Sequence, residues 1–175
     1  MALRIAVTGT PGVGKSTLVR EVVESLQGKG RYKIGGVMAV DKRVKDRRVG
    51  FELLDLGSRA RGMLADETGT GPQLGKYKVR LDDLDNVGAK AVEDALGSNM
   101  IVVDEVGPME LSSRRFIAAV EKALSSDKPM LVVLHEWSSH PIAKKIRKSF
   151  KVITVTSENR DALAEEITRE FRSKR

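Results

Sequence analysis

Nine residues near the N-terminus, Gly9-Thr10-Pro11-Gly12-Val13-Gly14-Lys15-Ser16-Thr17, fit the pattern G-x-x-x-x-G-K-[ST] without a mismatch. No other stretch limits the possible folds so strongly. Such a loop works only between a buried strand and a helix, where backbone N–H groups converge on an anion at the helix N-terminus. Both flanks comply: Leu3 to Thr8 predicts a short buried strand, and Ser16 to Gln27 a helix. The glycines let the backbone approach phosphate oxygens closely. Lys15 would place a compact positive charge on the β- and γ-phosphates, and the Ser16 hydroxyl would ligate Mg²⁺. The competing reading, a glycine-rich turn that binds nothing, explains neither the lysine nor the hydroxyl.

At 175 residues the chain is expected to form one domain, 1–175, with a core that needs no staples. There are no cysteines, which excludes a disulfide framework and a thiolate zinc site. No run approaches the roughly eighteen apolar residues of a membrane span, so the expectation is a soluble, cytoplasmic protein with no membrane partner. The formal charge of +7 raises nucleic acid as a partner. With only 4% aromatic residues there is little for bases to stack on, and surplus Lys and Arg on solvated faces is the preferred reading. A monomer is preferred over an oligomer.

Along the chain, Lys29 to Arg31 predicts a basic turn and Ile34 to Val40 a second strand. A charged turn, Asp41 to Arg48, precedes another strand from Val49 to Leu56, so an inserted β-hairpin is expected. Gly57 to Gly75 predicts mostly loop, with a short strand near Arg61 to Ala65. Lys76 to Arg80 predicts another strand, and Asp85 a cap for a helix from Asn86 to Leu96. Further strands are expected at Met100 to Asp104, Pro129 to His135 and Lys151 to Val155. Helices are expected at Ser113 to Ser125, Pro141 to Ser149 and Asn159 to Phe171. Strands alternating with helices imply a three-layer α/β/α fold of the phosphate-loop class with a mostly parallel central sheet.

Met100-Ile101-Val102-Val103-Asp104-Glu105 sets four apolar residues before two acids. In this class the strand next to the phosphate loop ends in an Asp that holds the magnesium, a role that falls to Asp104. Glu105, one residue on, could orient or deprotonate a water near the γ-phosphate. Two acids at a strand end are otherwise a solvated loop start; the phosphate loop upstream is what favours the catalytic reading.

Asp104-Glu105-Val106-Gly107-Pro108-Met109-Glu110 resembles the D-E-x-G-x-M-E signature of the small cancer-related nucleoside-triphosphatase family, a branch of the RecA-like P-loop proteins. Gly9 to Thr17 resemble its G-x-P-G-x-G-K-[ST]-T loop, Arg48-Val49-Gly50-Phe51 its R-x-G-F strand, and Thr156-Ser157-Glu158-Asn159-Arg160 its T-x-E-N-R segment. Pro108 stands where some members have Lys. The resemblance implies hydrolysis of nucleoside triphosphates (ATP, GTP and others) to diphosphate and phosphate, with Mg²⁺ and broad base tolerance. It also implies Glu105 as the catalytic acid/base residue. No guanine-reading N-K-x-D occurs. After the last strand, Asn159 could hydrogen-bond a base edge and Arg160 stack on its face, or Ser157 and Asn159 could simply cap the last helix.

Phosphoryl transfer also needs positive charge beyond Lys15. Arg48 is the first choice because it lies in the R-x-G-F match; Arg43, Arg47, Arg114 and Arg115 are the others. His135, at a strand end, is either a structural histidine or a γ-phosphate-sensing group. Trp137 is expected to pack or to serve in a lid. Lys144, Lys145, Arg147, Lys148 and Lys151 form the best nucleic-acid patch, but also the wet face of a helix whose dry face is Ile142, Ala143 and Ile146. Two alternatives to a hydrolase fit the same residues: a kinase acting on a nucleoside, nucleotide or RNA end, and a nucleotide-switched adaptor for nucleic acid or protein.

Overall fold

The structure is a computed structural model and describes residues 1–28, 30 and 32–174. The basic turn expected at Lys29 to Arg31 rests on two residues outside that set. The chain opens with β1 (Arg4–Thr8) and α1 (Lys15–Gln27), followed by β2 (Ile34–Val44), β3 (Arg47–Asp55), β4 (Arg61–Asp66), β5 (Gln73–Leu74) and β6 (Tyr77–Val79). A helical stretch then passes through α2 (Leu81–Asp83), a π segment (Leu84–Ala89) and α3 (Lys90–Asp94). The remainder alternates: β7 (Met100–Val106), α4 (Arg114–Leu124), β8 (Met130–Leu134), α5 (Pro141–Ser149), β9 (Lys151–Thr154) and α6 (Arg160–Ser173).

Among the described residues, nine strands join one sheet in the order β5-β6-β4-β3-β2-β7-β8-β1-β9. The five strands from β2 to β9 are parallel to one another; β3, β4, β6 and β5 extend the sheet antiparallel beyond β2. The apolar runs explain the parallel part. Met100 to Val103 and Met130 to Leu134 are buried along their whole length, as strands covered on both faces must be. One face packs Ile5, Val7, Val102 and Leu131 against α1 and α6; the other packs Ala6, Ile101 and Val132 against α3, α4 and α5. Each fully buried aliphatic side chain in these layers contributes about 1.5–3 kcal/mol.

Three expectations change. The strand that ends in Asp104 is not the neighbour of the phosphate-loop strand, because β8 lies between β1 and β7. Apolar patterning identifies strands but not their order, which the crossovers decide. The expected hairpin is the start of a longer antiparallel extension. Its charged turn shrinks to Lys45 and Asp46, both at positive φ (50° and 63°) as a two-residue turn matched to strand twist requires. Asp85 does not open the second helix, which begins at Leu81; instead it accepts the Ser113 hydroxyl hydrogen bond. Among the described residues no helix is long and apolar enough to cross a membrane.

Gly36, near the start of β2, has φ +115°, and a Cβ there would lie 1.9 Å from the Val102 carbonyl oxygen of β7. Gly36→Ala is therefore expected to destabilise the fold by about 3–5 kcal/mol, through backbone strain and a clash that only separating two strands relieves. Urea unfolding that matches the parent would refute this close approach.

Candidate active site

Helix α1 begins at Lys15 with Gly14 as its cap residue, in the left-handed region at φ 108° and ψ 22°. A glycine has no side chain with which to cap, so the first turn receives no side-chain cap hydrogen bond from it. The opening N–H groups and the positive end of the helix dipole are therefore available to an anion. No acidic residue lies in that first turn, so nothing internal competes for the position. Lys15 folds back, its Nζ donating to the Gly9 carbonyl at 2.5 Å. Gly9 to Thr17 thus lead from β1 into α1 as the strand–loop–helix arrangement expected from their pattern.

Asp104 is 2% exposed at the end of β7, facing this loop. Burial is the main force on its carboxyl, pushing it up to about 7; the Ser16 hydroxyl, Lys15 and Arg20 pull the other way, and Glu105 adds to the rise. One carboxylate oxygen, Oδ2, is buried with no hydrogen-bond partner among the described residues. Although β8 separates β7 from β1, α1 crosses the sheet face and brings Ser16 to Asp104. Glu105 is half-buried, its carboxyl raised by burial and held down by Lys15 and His135. The Asp104–Glu105 peptide is cis. Glu105 folds over Gly107, where a Cβ would lie 2.6 Å from Glu105 Oε1.

The other expected residues divide. Arg160 is brought to the loop: its Nη1 donates to the Val13 carbonyl at 3.2 Å, and its side chain lies over Gly14. Asn159 stands at the cap position of α6, but its side chain works within the loop. Its Oδ1 accepts from Thr156 N at 2.8 Å and its Nδ2 donates to the Thr154 carbonyl at 3.0 Å. Arg48 lies on the first strand of the antiparallel extension. Its Nε donates to the Tyr77 hydroxyl at 3.1 Å and its guanidinium lies 4.8 Å from the Phe51 ring centre, with Asp41 at 3.9 Å. The R-x-G-F resemblance marked the residue, and the fold gives it an aromatic stack. On α5, Ile142, Ala143 and Ile146 are buried while Lys144, Lys145 and Lys148 are exposed, so the wet-face reading holds for the lysines.

Residue-by-residue reading missed Gly107, Glu110 and Arg147. Only the D-E-x-G-x-M-E resemblance marked the first two, and Arg147 was one cation among five. Glu110 is 5% exposed, and its carboxyl lies well above the ordinary range because burial disfavours its charge and Glu105 and Asp104 repel it. The folded state therefore prefers the neutral acid, whereas the unfolded chain ionises near 4.5. The stability this group contributes is greatest below that value and is lost as pH rises from there towards the folded value. Glu110→Gln, which mimics the neutral acid, is expected to stabilise the nucleotide- and metal-free protein at about pH 8 and to give no gain at about pH 4. Urea unfolding at both pH values is the measurement; equal stabilities at the higher pH would show that the carboxyl is not held neutral.

The geometry can be set beside known proteins. The model of the family described as NTPase matches residues 4–168. The nucleoside-triphosphatase THEP1 of Methanosarcina acetivorans is 52% identical over 169 residues, 97% of each chain. That of Methanocaldococcus jannaschii is 40% identical over 167 residues, 94% of this chain and 95% of its own. Among solved structures, a human cancer-related nucleoside triphosphatase superposes with a TM-score of 0.83 at 32% identity, covering 99% of this chain and all of its own (100%). The THEP1 of the hyperthermophile Aquifex aeolicus gives 0.80 at 28% identity over 94% and 96% of the two chains. With a model that spans nearly the whole sequence and relatives this similar end to end, the chain belongs to the NTPase family.

Proposed function

We propose that the chain, acting as one unit over residues 1–175 in the cytoplasm, hydrolyses nucleoside triphosphates to diphosphate and phosphate with Mg²⁺ and with little base selectivity. The observation that carries this reading is that an uncapped helix N-terminus with Lys15 stands opposite an acid pair, buried Asp104 and half-buried Glu105. The relatives named nucleoside-triphosphatase support it.

The residues present fit Mg²⁺. The unpartnered Asp104 Oδ2 and the Ser16 hydroxyl are hard oxygen donors side by side. Among the described residues no group of three or more His, Cys, Asp or Glu could form an all-protein metal cage, and a magnesium ion that shares phosphate and water oxygens needs none. Ser16 and Asp104 would hold the ion, which supplies neutralisation of charge on the β- and γ-oxygens.

The chain's own groups then do the following. Backbone N–H groups of Gly9 to Thr17 bind the phosphates, and Lys15 turns from the Gly9 carbonyl to the β- and γ-oxygens. Glu105 orients a water on the γ-phosphorus and takes its proton as the water oxygen bonds to phosphorus. The bond from the γ-phosphorus to the bridging oxygen breaks, and its electron pair stays on the diphosphate. Arg160, against Val13 and Gly14, contacts the nucleotide outside the phosphates, and Asn159 holds the loop that presents it. A base faced by a guanidinium and a loop rather than by a fixed donor-acceptor pattern suits several nucleotides alike. Arg48 could add charge at the γ-phosphate only by leaving its stack on Phe51 and Tyr77.

Phosphate release measured over the common ribo- and deoxyribonucleoside triphosphates tests the reading. Activity is expected on several of them, to vanish in Lys15→Ala, and to fall by about 10²–10⁴-fold in Glu105→Ala with nucleotide still bound. Turnover of Glu105→Ala at the parent rate would overturn the mechanism. For Arg48→Ala we expect turnover within about threefold of the parent and a lower melting temperature, the loss of a cation–π stack being worth roughly 0.5–2 kcal/mol. A large loss of turnover in a stable variant would instead make Arg48 the charge-stabilising group.

A further inference from the structure

Between Glu136 and Glu158 the chain carries no acid but five cations: Lys144, Lys145, Arg147, Lys148 and Lys151. Elsewhere many cations are paired, as Arg47 is with Glu67, Arg80 with Asp66 and Arg115 with Glu93; Lys151 likewise meets Glu170 at 2.6 Å. Lys144, Lys145 and Lys148 are exposed on α5, and none of them has a carboxylate partner among the described residues. The apolar side of the same helix is used up, with Ile142, Ala143 and Ile146 buried in the core. α5 therefore shows solvent a face whose positive charge nothing offsets. Its first turn follows the end of β8, which is parallel to β1, so the face begins at the sheet edge that also carries the phosphate loop.

The fold adds an aromatic ring to this face. Lys144, Arg147 and Lys148 stand at i, i+3 and i+4, neighbours on one side of the helix, and a side chain at Arg147 leans back over the turn of Lys144. There it draws the β8–α5 connection onto the helix, donating to Ser138 O at 2.6 Å, Glu136 O at 3.1 Å and His135 O at 3.2 Å. Trp137 sits inside that clamped run, and its backbone N–H is tied to His135 Nδ1 at 3.3 Å. The indole is 80% exposed, so it does not pack as its sequence position led us to expect. A ring on a fixed backbone, exposed beside unpaired lysines, is the combination on which single-stranded bases stack while their phosphates meet charge.

We propose that Trp137 and the lysine face of α5 form a binding surface for single-stranded nucleic acid, with Arg147 as the positioning residue that holds the ring beside the lysines. The inference goes beyond the triphosphatase reading and does not depend on it. Unpaired positive charge selects a polyanion. The ring selects, among polyanions, one with flat faces open to stacking; a duplex keeps the faces of its bases within its own stack. A membrane surface would ask for several apolar side chains around the indole, whereas those of α5 are turned into the core. Stacking and phosphate contact read no particular base, so little sequence preference is expected.

Titration with single-stranded oligo(dU) and oligo(U), read by the fluorescence of Trp137, the sole tryptophan, tests the proposal. The strands are expected to quench the indole and to bind with a dissociation constant of about 10⁻⁴–10⁻⁶ M. With Lys144, Lys145 and Lys148 each meeting one phosphate, log K should fall against log salt with a slope of about −2, and Lys144→Gln and Lys148→Gln should each flatten it by about 0.7. By anisotropy of a labelled strand, Trp137→Ala should weaken binding by about 5–150-fold, the range for one lost stack, and Trp137→Phe should recover most of that loss. Arg147→Met should weaken binding too and add little in the Trp137→Ala background; circular dichroism shows that each variant is folded. Tighter binding of one strand than the other supports the proposal and assigns the partner as DNA or RNA. Absence of binding, an unaltered affinity in Trp137→Ala, inorganic polyphosphate bound as tightly as either strand, or a preference for duplex or for vesicles of anionic lipid would each overturn it. Phosphate release by the parent is a separate readout. If release proceeds and no strand binds, only this inference fails; if strands bind and release is absent, only the hydrolase reading fails.

Discussion

Helix α1 starts without a cap, and that vacancy organises the molecule. Its cap residue is a glycine in a left-handed conformation, and its first turn holds no acid. Helix starts more often place Ser, Thr, Asp or Asn here, whose side chain accepts from the first turn, as Ser113 does for α4. Here the positive end of the helix and Lys15 are left facing Asp104 and Glu105, two acids whose burial raises both carboxyls. Glu110 deepens the same excess of buried acid. An arrangement of this kind is costly within the protein alone and becomes balanced when phosphate and a divalent cation enter together.

The sheet makes that arrangement possible by its order. With β8 inserted between β1 and β7, the phosphate loop and the acid pair stand two strands apart, about 9–10 Å. The width leaves room for a γ-phosphate and a water between them, and α1 closes the gap on one side through Ser16. The end of β8 falls between them. The antiparallel extension from β3 to β5 lies beyond β2, on the other side of β7, and its own interactions are those of a folded sheet: Arg48 on Phe51 and Tyr77, and Arg80 on Asp66.

Much of this was legible from local pattern. The apolar runs of β7 and β8 are buried end to end, and α5 occupies Pro141 to Ser149 as its periodicity and opening proline predict. The extension was less legible. Charged residues Asp41 to Val44 look like a turn but continue β2, because an exposed strand carries polar side chains on a face that nothing covers. Asp85 looks like a cap but is taken by Ser113, twenty-eight residues away in sequence. Arg147 looks like one of several solvated cations, and only the fold shows three carbonyls converging on it.

The sequence by itself determined the glycine-rich loop between strand and helix, the acid pair behind an apolar strand and the alternation of strand and helix, because each is set by residues adjacent in the chain or by a short repeat of polarity. The tertiary structure alone decided which strands are neighbours, which arginine touches the loop, and which buried groups lack a partner. Those depend on contacts between residues far apart in sequence, and no local pattern encodes them. Gly9 to Thr17 fix a glycine-rich strand-to-helix loop; the placement of β7 and β8 beside it decides which side chains it meets.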